Sequence, residues 1–158
     1  MFIFGYGSLV NPSNRGAFLR AWPATLRRSA GLCRAWNAHC VWQGTPYTAL
    51  GLERCDPGNP VNGVIFEVTA ERYAELVARE VGYQQLTLSL SDISMQTDAE
   101  VAVSAVGLPI ITWLTKKPQR PTASYPLNSR YMAGCREGFE LLGSDAWAIF
   151  LETTQPFS

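Results

Sequence analysis

Apolar residues in this chain come in short runs broken by turn residues. Met1-Phe2-Ile3-Phe4 is such a run, and Gly5-Tyr6-Gly7-Ser8 ends it. The pattern predicts a buried strand entering a glycine-governed turn. Asn11 and Pro12 suit the cap and first position of a helix, which predicts a short one over 12–19. Thr48 to Arg54 and Gly63 to Val68 are apolar stretches around a Pro57-Gly58-Asn59-Pro60 turn, the pattern of a hairpin. From Gln84 to Leu90, Leu86, Leu88 and Leu90 alternate with polar residues. Val101 to Val106 alternates less cleanly, and Ile110 to Leu114 is apolar and rich in β-branched residues. This predicts about six strands, not regularly interleaved with helices. The fold class is therefore α+β, a mixed sheet or small barrel rather than a doubly wound parallel sheet. The stretch containing Trp22, Trp36 and Trp42 shows no readable period.

Helical signals concentrate in two places. Thr69 caps a predicted helix over 70–80, Glu71 favours its first turn, and Gly82 can end it. Further on, Asn128 or Ser129 caps a helix with Tyr131, Cys135, Phe139 and Leu142 on one stripe and Gly143 beyond it. Ser144 is the predicted cap of a shorter helix bearing Ala146, Ile149 and Phe150. Between Lys116 and Leu127, Pro118, Pro121 and Pro126 mark a loop. With 158 residues and no repeat, the expectation is one domain over 1–158 with flanking helices.

Charge narrows the function classes. Thirteen Lys and Arg balance thirteen Asp and Glu. A protein that grips phosphates needs a basic excess, so neither nucleic acid nor a membrane surface is an expected partner. No apolar run approaches a membrane span, and no secretory signal is visible, so a cytoplasmic location is expected. Cys33, Cys40, Cys55 and Cys135 form no CxxC pair, and His39 is the only histidine. The expectation is four reduced thiols and no metal site.

Two features could carry chemistry. Tyr73, Leu76 and Val77 mark the apolar stripe of the first predicted helix, and Glu80 is the next member of that stripe. A carboxylate facing inward at a helix C-terminus is disfavoured in its charged form by desolvation and by the dipole. Its raised pKa would suit a general acid/base. The alternative is a frayed end at which Glu80 turns to solvent and pairs with an arginine such as Arg79. The second feature is the turn. Glycines permit positive φ and let N–H groups approach a ligand closely, enough to hold a carboxylate or oxyanion. A dinucleotide fingerprint would need glycine at position 10, which is Val10. An empty tight turn is the other reading.

At this point the residues resemble a family. Phe4-Gly5-Tyr6-Gly7-Ser8-Leu9 looks like the YGSL signature of the gamma-glutamylcyclotransferase superfamily. Gly63 to Val68 is similar to a strand of that family, and Arg79-Glu80 with Tyr83 resembles its ChaC-like branch. Leu50 to Glu53 and Ser129-Arg130-Tyr131, followed by Gly134 and Gly138, fit the family's order. The resemblance implies a small mixed β-barrel with flanking helices and no metal or organic cofactor. It implies cyclisation of a γ-glutamyl group to 5-oxoproline, with Glu80 as general acid/base. It makes Tyr6, Gly7, Ser8 and Leu9 substrate-binding, chiefly through backbone amides, and gives Tyr83 and Tyr131 hydroxyl contacts to donate. The partner is then a small γ-glutamyl molecule, and a homodimer is left open. Two departures stand out. Only Val81 and Gly82 separate Glu80 from Tyr83, where many ChaC-like sequences have three residues, and Val10-Asn11-Pro12 replaces the aromatic that often follows the turn in glutathione-acting members.

Two other readings compete: a non-catalytic small-molecule binder on the same barrel, and a thiol-dependent hydrolase using Cys33 or Cys40. Adjacent strand residues point to opposite faces, so His39 cannot readily activate Cys40. The tryptophans read as core and rim packing, with a ligand role open for Trp22, Trp36 and Trp42. The Gly134 to Gly138 spacing reads as close helix packing.

Overall fold

Phe2, Ile3 and Phe4 are completely buried, which requires cover on both faces of their strand and a partner on both edges. In the computed structural model, which describes residues 1–16 and 18–156, β1 (Phe2–Gly5) has both partners. β5 (Val61–Glu67) pairs with it antiparallel and β8 (Ile110–Thr115) parallel. Around this centre lie β2 (Arg20–Leu26), β3 (Leu32–Trp42), β4 (Thr45–Arg54), β6 (Tyr83–Leu88) and β7 (Ile93–Ser94). The order is β3-β4-β8-β1-β5-β2-β7, with β6 on β8, so eight strands form one mixed sheet. The helices are α1 (Pro12–Arg15), α2 (Ala70–Arg79), α3 (Thr97–Val106), α4 (Ser129–Leu142) and α5 (Ala146–Thr153). No described helix is long and apolar enough to cross a membrane.

The α+β class holds, but the sheet does not close into a barrel. The end strands β3 and β7 do not pair with each other. β7 is only two residues long, and the segment after α5 occupies the edge of β3, where Gln155 N–H donates to Arg34 O and Thr154 bridges Arg34. Covering an edge in this way removes the need for closure.

The expected hairpin between Thr48 to Arg54 and Gly63 to Val68 does not form. β4 pairs with β3 across a tight turn in which Gln43 and Gly44 both have positive φ. That geometry suits the right-handed twist of a two-residue hairpin loop. β5 instead lies between β1 and β2. There, Gly63 lets the backbone of β5 approach β1 closely, since a Cβ would run into Gly5 O.

The stretch Val101 to Val106 is helical rather than extended. Asp98 and Glu100 complement the N-terminus of α3, Gly107 ends it in a left-handed conformation, and Ala99 and Val103 form its buried i, i+4 pair. The helix predicted over 12–19 stops at Arg15, and position 17 lies outside the described residues.

The predicted caps at Thr69 and Asn128 form, accepting from Arg72 N–H and Tyr131 N–H. The cap of α5 is Asp145 rather than Ser144, whose hydroxyl bonds to the Asp145 carboxylate. Gly138 packs on the backbone of Val10 and Asn11, so α4 lies directly against the turn after β1. The expectation of four reduced thiols is also overturned, because Cys33 and Cys55 form a disulfide.

Candidate functional site

All seven residues singled out from the sequence line one narrow cleft of about 40 Å³, whose wall consists of Phe4, Gly5, Tyr6, Gly7, Ser8, Leu9, Leu50, Glu80, Tyr83, Trp113 and Tyr131. β1 delivers the chain to one side of the cleft. The turn then passes into a single 3-10 turn over Ser8–Val10. α2 ends on the other side with Glu80 as its C-cap, whose N–H still bonds to Leu76 and Val77. β6 carries Tyr83, and α4 carries Tyr131.

The glycines of the turn act through space rather than through handedness. Neither Gly5 nor Gly7 has positive φ. A Cβ on Gly7 would crowd Leu50 at 3.3 Å and come within 3.5 Å of the Tyr131 hydroxyl, and one on Gly5 would press on Leu9 at 3.1 Å. Because the chain is this close to its walls, backbone N–H groups form part of the lining. Those of Gly7, Ser8 and Leu9 have no acceptor among the described residues, although Gly7 and Leu9 are buried. Buried N–H groups are nearly always satisfied in folded proteins, so donors left open at a cleft are available to a ligand.

The three tyrosines divide into acceptors and a donor. The Tyr6 hydroxyl donates to Trp113 O at 2.9 Å, and the Tyr83 hydroxyl donates to Leu50 O at 2.8 Å. Their protons are used, so both present lone pairs. Tyr83, expected to donate to a substrate, here donates to Leu50 O. The Tyr131 hydroxyl instead accepts from Leu50 N–H at 3.3 Å and keeps its own proton. One residue, Leu50, thus orients two of the three rings through its backbone. Burial drives the pKa of all three tyrosines upward, so they stay neutral.

Glu80 is half-buried, and no hydrogen bond or ion pair reaches its carboxylate from the described residues. The alternative in which it turns outward to pair with Arg79 does not describe this chain. Burial raises the Glu80 pKa, and the nearby positive charge of Arg79 opposes the rise without cancelling it. A half-buried carboxyl held towards neutrality can exchange a proton with a ligand near neutral pH.

Sequence reasoning missed several contributors. Leu50, Trp113 and Phe4 complete the lining. Arg34 lies behind the turn with no exposed surface, and donates to Tyr6 O at 3.0 Å. The one available signal for Arg34 was an arginine inside the apolar run Leu32-Cys33-Arg34-Ala35-Trp36.

The thiol reading loses its first nucleophile, since Cys33 is in the disulfide. The Cys40 thiol lies near Tyr83 and Glu80, and burial pushes its pKa up, opposite to what an activated thiol needs. His39 faces away from it, stacked on Tyr125 at 4.3 Å and bonded to Arg120 O. Among the described residues no group of three or more His, Cys, Asp or Glu side chains could hold a metal ion.

No family model and no curated protein matches the chain. Solved structures do. A yeast gamma-glutamyl cyclotransferase specific to glutathione aligns over 97% of this chain and 94% of its own, with TM-score 0.66 and 15% identity. A second gamma-glutamyl cyclotransferase aligns over 98% and 88%, with TM-score 0.68 and 16% identity. An uncharacterised human protein aligns over 98% and 88%, with TM-score 0.67 and 17% identity. These likenesses span nearly the whole chain, and they show that it has the gamma-glutamyl cyclotransferase fold.

Proposed function

We propose that this protein is a gamma-glutamylcyclotransferase-like enzyme that converts a γ-glutamyl amide to 5-oxoproline and a free amine. The observation that carries the reading is the unpartnered Glu80 carboxyl, which shares one narrow cleft with the open N–H groups of the Tyr6 to Leu9 turn. The fold shared with gamma-glutamyl cyclotransferases adds support.

In this reading the α-ammonium of the substrate lies against Glu80 and the lone pairs of Tyr6 and Tyr83. Glu80 takes one proton, and the freed amine attacks the γ-carbonyl carbon. A carbon–nitrogen bond forms and the carbonyl pair moves onto oxygen, where N–H groups of the turn and the Tyr131 hydroxyl stabilise it. The oxyanion then collapses, the original amide bond breaks, and the leaving amine takes the proton back from Glu80. The freed carboxylate then accepts the second proton from the ring nitrogen and passes it to the departing amine, which leaves as an ammonium. No water is consumed, and the carboxylate is restored. The cleft supplies the folded geometry that ring closure needs.

The test is release of 5-oxoproline from a panel of γ-glutamyl peptides, amino acids and amines. If purified protein releases none from any of them, the reading is wrong. Ligand-induced thermal stabilisation without turnover would favour the non-catalytic binder instead.

A further inference from the structure

Among the described residues the largest side chain with no exposed surface is a cation. Arg34 of β3 donates from Nη1 to Tyr6 O at 3.0 Å and Asn62 O at 2.7 Å. Nη2 reaches Asn62 Oδ1 at 2.8 Å, Thr153 Oγ1 at 3.0 Å and Phe150 O at 3.4 Å, and Nε reaches Thr154 Oγ1 at 2.8 Å. The rings of Phe150 and Phe139 cover the guanidinium at 4.1 and 5.2 Å. Every donor is satisfied, and every acceptor is neutral. Among the described residues no carboxylate is one of its partners, and the neighbouring Cys135 thiol has its pKa pushed up to about 12, so it is uncharged as well. Burial pulls the arginine down to about 9, which still leaves it protonated at neutral pH.

A buried charge without a counter-ion is expensive, and neutral side chains could brace the same acceptors more cheaply. The cost has a use where the field of the charge is felt. Tyr6 is that place, because its carbonyl accepts from Arg34 and the next N–H in the same peptide unit belongs to Gly7. A carbonyl bound to a cation makes its own peptide N–H a stronger donor.

We propose that Arg34 is a positioning residue for the reaction assigned above: it fixes the Tyr6 carbonyl, and its uncompensated charge favours negative charge on a substrate at the turn. Arg34 touches no substrate. It acts through the Tyr6–Gly7 peptide and through its field across the floor of the cleft. The inference rests on the proposed cyclotransferase function.

The test separates charge from packing. Arg34→Lys keeps the charge but cannot serve six acceptors. Thr153→Asp leaves the guanidinium in place and gives it a counter-ion at a half-exposed position, and Thr153→Asn is the neutral isostere. With a γ-glutamyl substrate that the wild type turns over, Thr153→Asp is expected to lower kcat/KM by about tenfold, as loss of electrostatic stabilisation does. The loss should fall mainly on kcat rather than on KM, because the field acts on negative charge that develops at the turn. Thr153→Asn should stay within about threefold, and Arg34→Lys should fall at least as far as Thr153→Asp. The proposal is overturned if Thr153→Asp keeps wild-type kcat/KM or loses it only through KM, or if Thr153→Asn falls equally. A wild type that neither turns over any γ-glutamyl substrate nor binds 5-oxoproline in calorimetry removes the function and this inference together. Turnover with an insensitive Thr153→Asp removes only the inference.

Discussion

Glu53 and Glu80 are both half-buried, and their surroundings drive them in opposite directions. Glu53 accepts from Arg120 through both carboxylate oxygens' reach, at 3.1 and 2.6 Å, and from Asn37 Nδ2 at 3.0 Å. Those hydrogen bonds hold its pKa below the ordinary carboxylate value. Glu80 has no such partner, and burial raises its pKa. Glu53 is a clamp that ties the loop carrying Arg120 to β4. Glu80 is left free to gain and lose a proton. The contrast shows that a carboxylate is marked for chemistry by the partners it lacks as much as by the pocket it faces.

The largest test of this contrast is Glu80→Gln, which keeps the shape and removes the base. Release of 5-oxoproline should fall by roughly 10²–10⁴-fold, as expected for loss of a general acid/base. An unchanged rate would rule out the catalytic role proposed for Glu80. Tyr83→Phe removes the lone pair and the bond to Leu50 O, and a loss of kcat/KM of about tenfold is expected from one removed polar contact.

The corresponding change at the clamp, Glu53→Gln, should act on stability instead. Loss of a half-exposed bidentate pair should cost about 1–2 kcal/mol, read as a Tm lower by a few degrees, and kcat should stay near wild type. A large loss of turnover without a loss of Tm would break the comparison.

The smallest effect is a pH dependence of opposite sign at the two sites. The folded-state pKa of Glu53 is depressed, so its contribution is present above the unfolded carboxyl value and disappears as pH falls through the folded one. The folded-state pKa of Glu80 is raised, so its charged form costs stability at neutral pH, and that cost fades on acidification. In thermal melts across the acid range, Glu53→Gln should therefore converge on wild type at low pH. Glu80→Gln should match or exceed wild-type stability at neutral pH and lose that advantage on acidification.

The elements that could be read in the sequence were those set by neighbouring residues. Phe2 to Phe4 announces a strand because three consecutive buried apolar residues allow little else. Glu80 falls on its stripe because Tyr73, Leu76 and Val77 define one. Thr69 and Asn128 cap because their side chains reach the N–H three residues on. What could not be read was set by partners distant in sequence. β3 carries Arg34, Asn37 and His39 among its apolar residues, and each is accommodated by a remote group: the segment after α5 for Arg34, Glu53 and Thr115 for Asn37, Tyr125 for His39. The false hairpin came from treating neighbours in sequence as neighbours in the sheet. The disulfide depends on a register that places Cys33 opposite Glu53, two residues before Cys55, and cysteine spacing contains no trace of it. The roles of Tyr83 and Tyr131 depend on which backbone atom of Leu50 each one meets, and that of Tyr6 on Trp113 O, which no linear pattern encodes.

The acceptors gathered on Arg34 also impose an order on the making of the protein. A ribosome produces Tyr6 well before Thr153 and Thr154, which lie far downstream of it in the chain. At the usual ~5–20 residues per second, roughly 7–30 s pass between them. Throughout that interval the guanidinium has only part of its cage, and a cation cannot be sealed into the core until the cage is complete. The nascent sheet must therefore stay open at β3, and the turn acquires its final shape only when the last helix arrives.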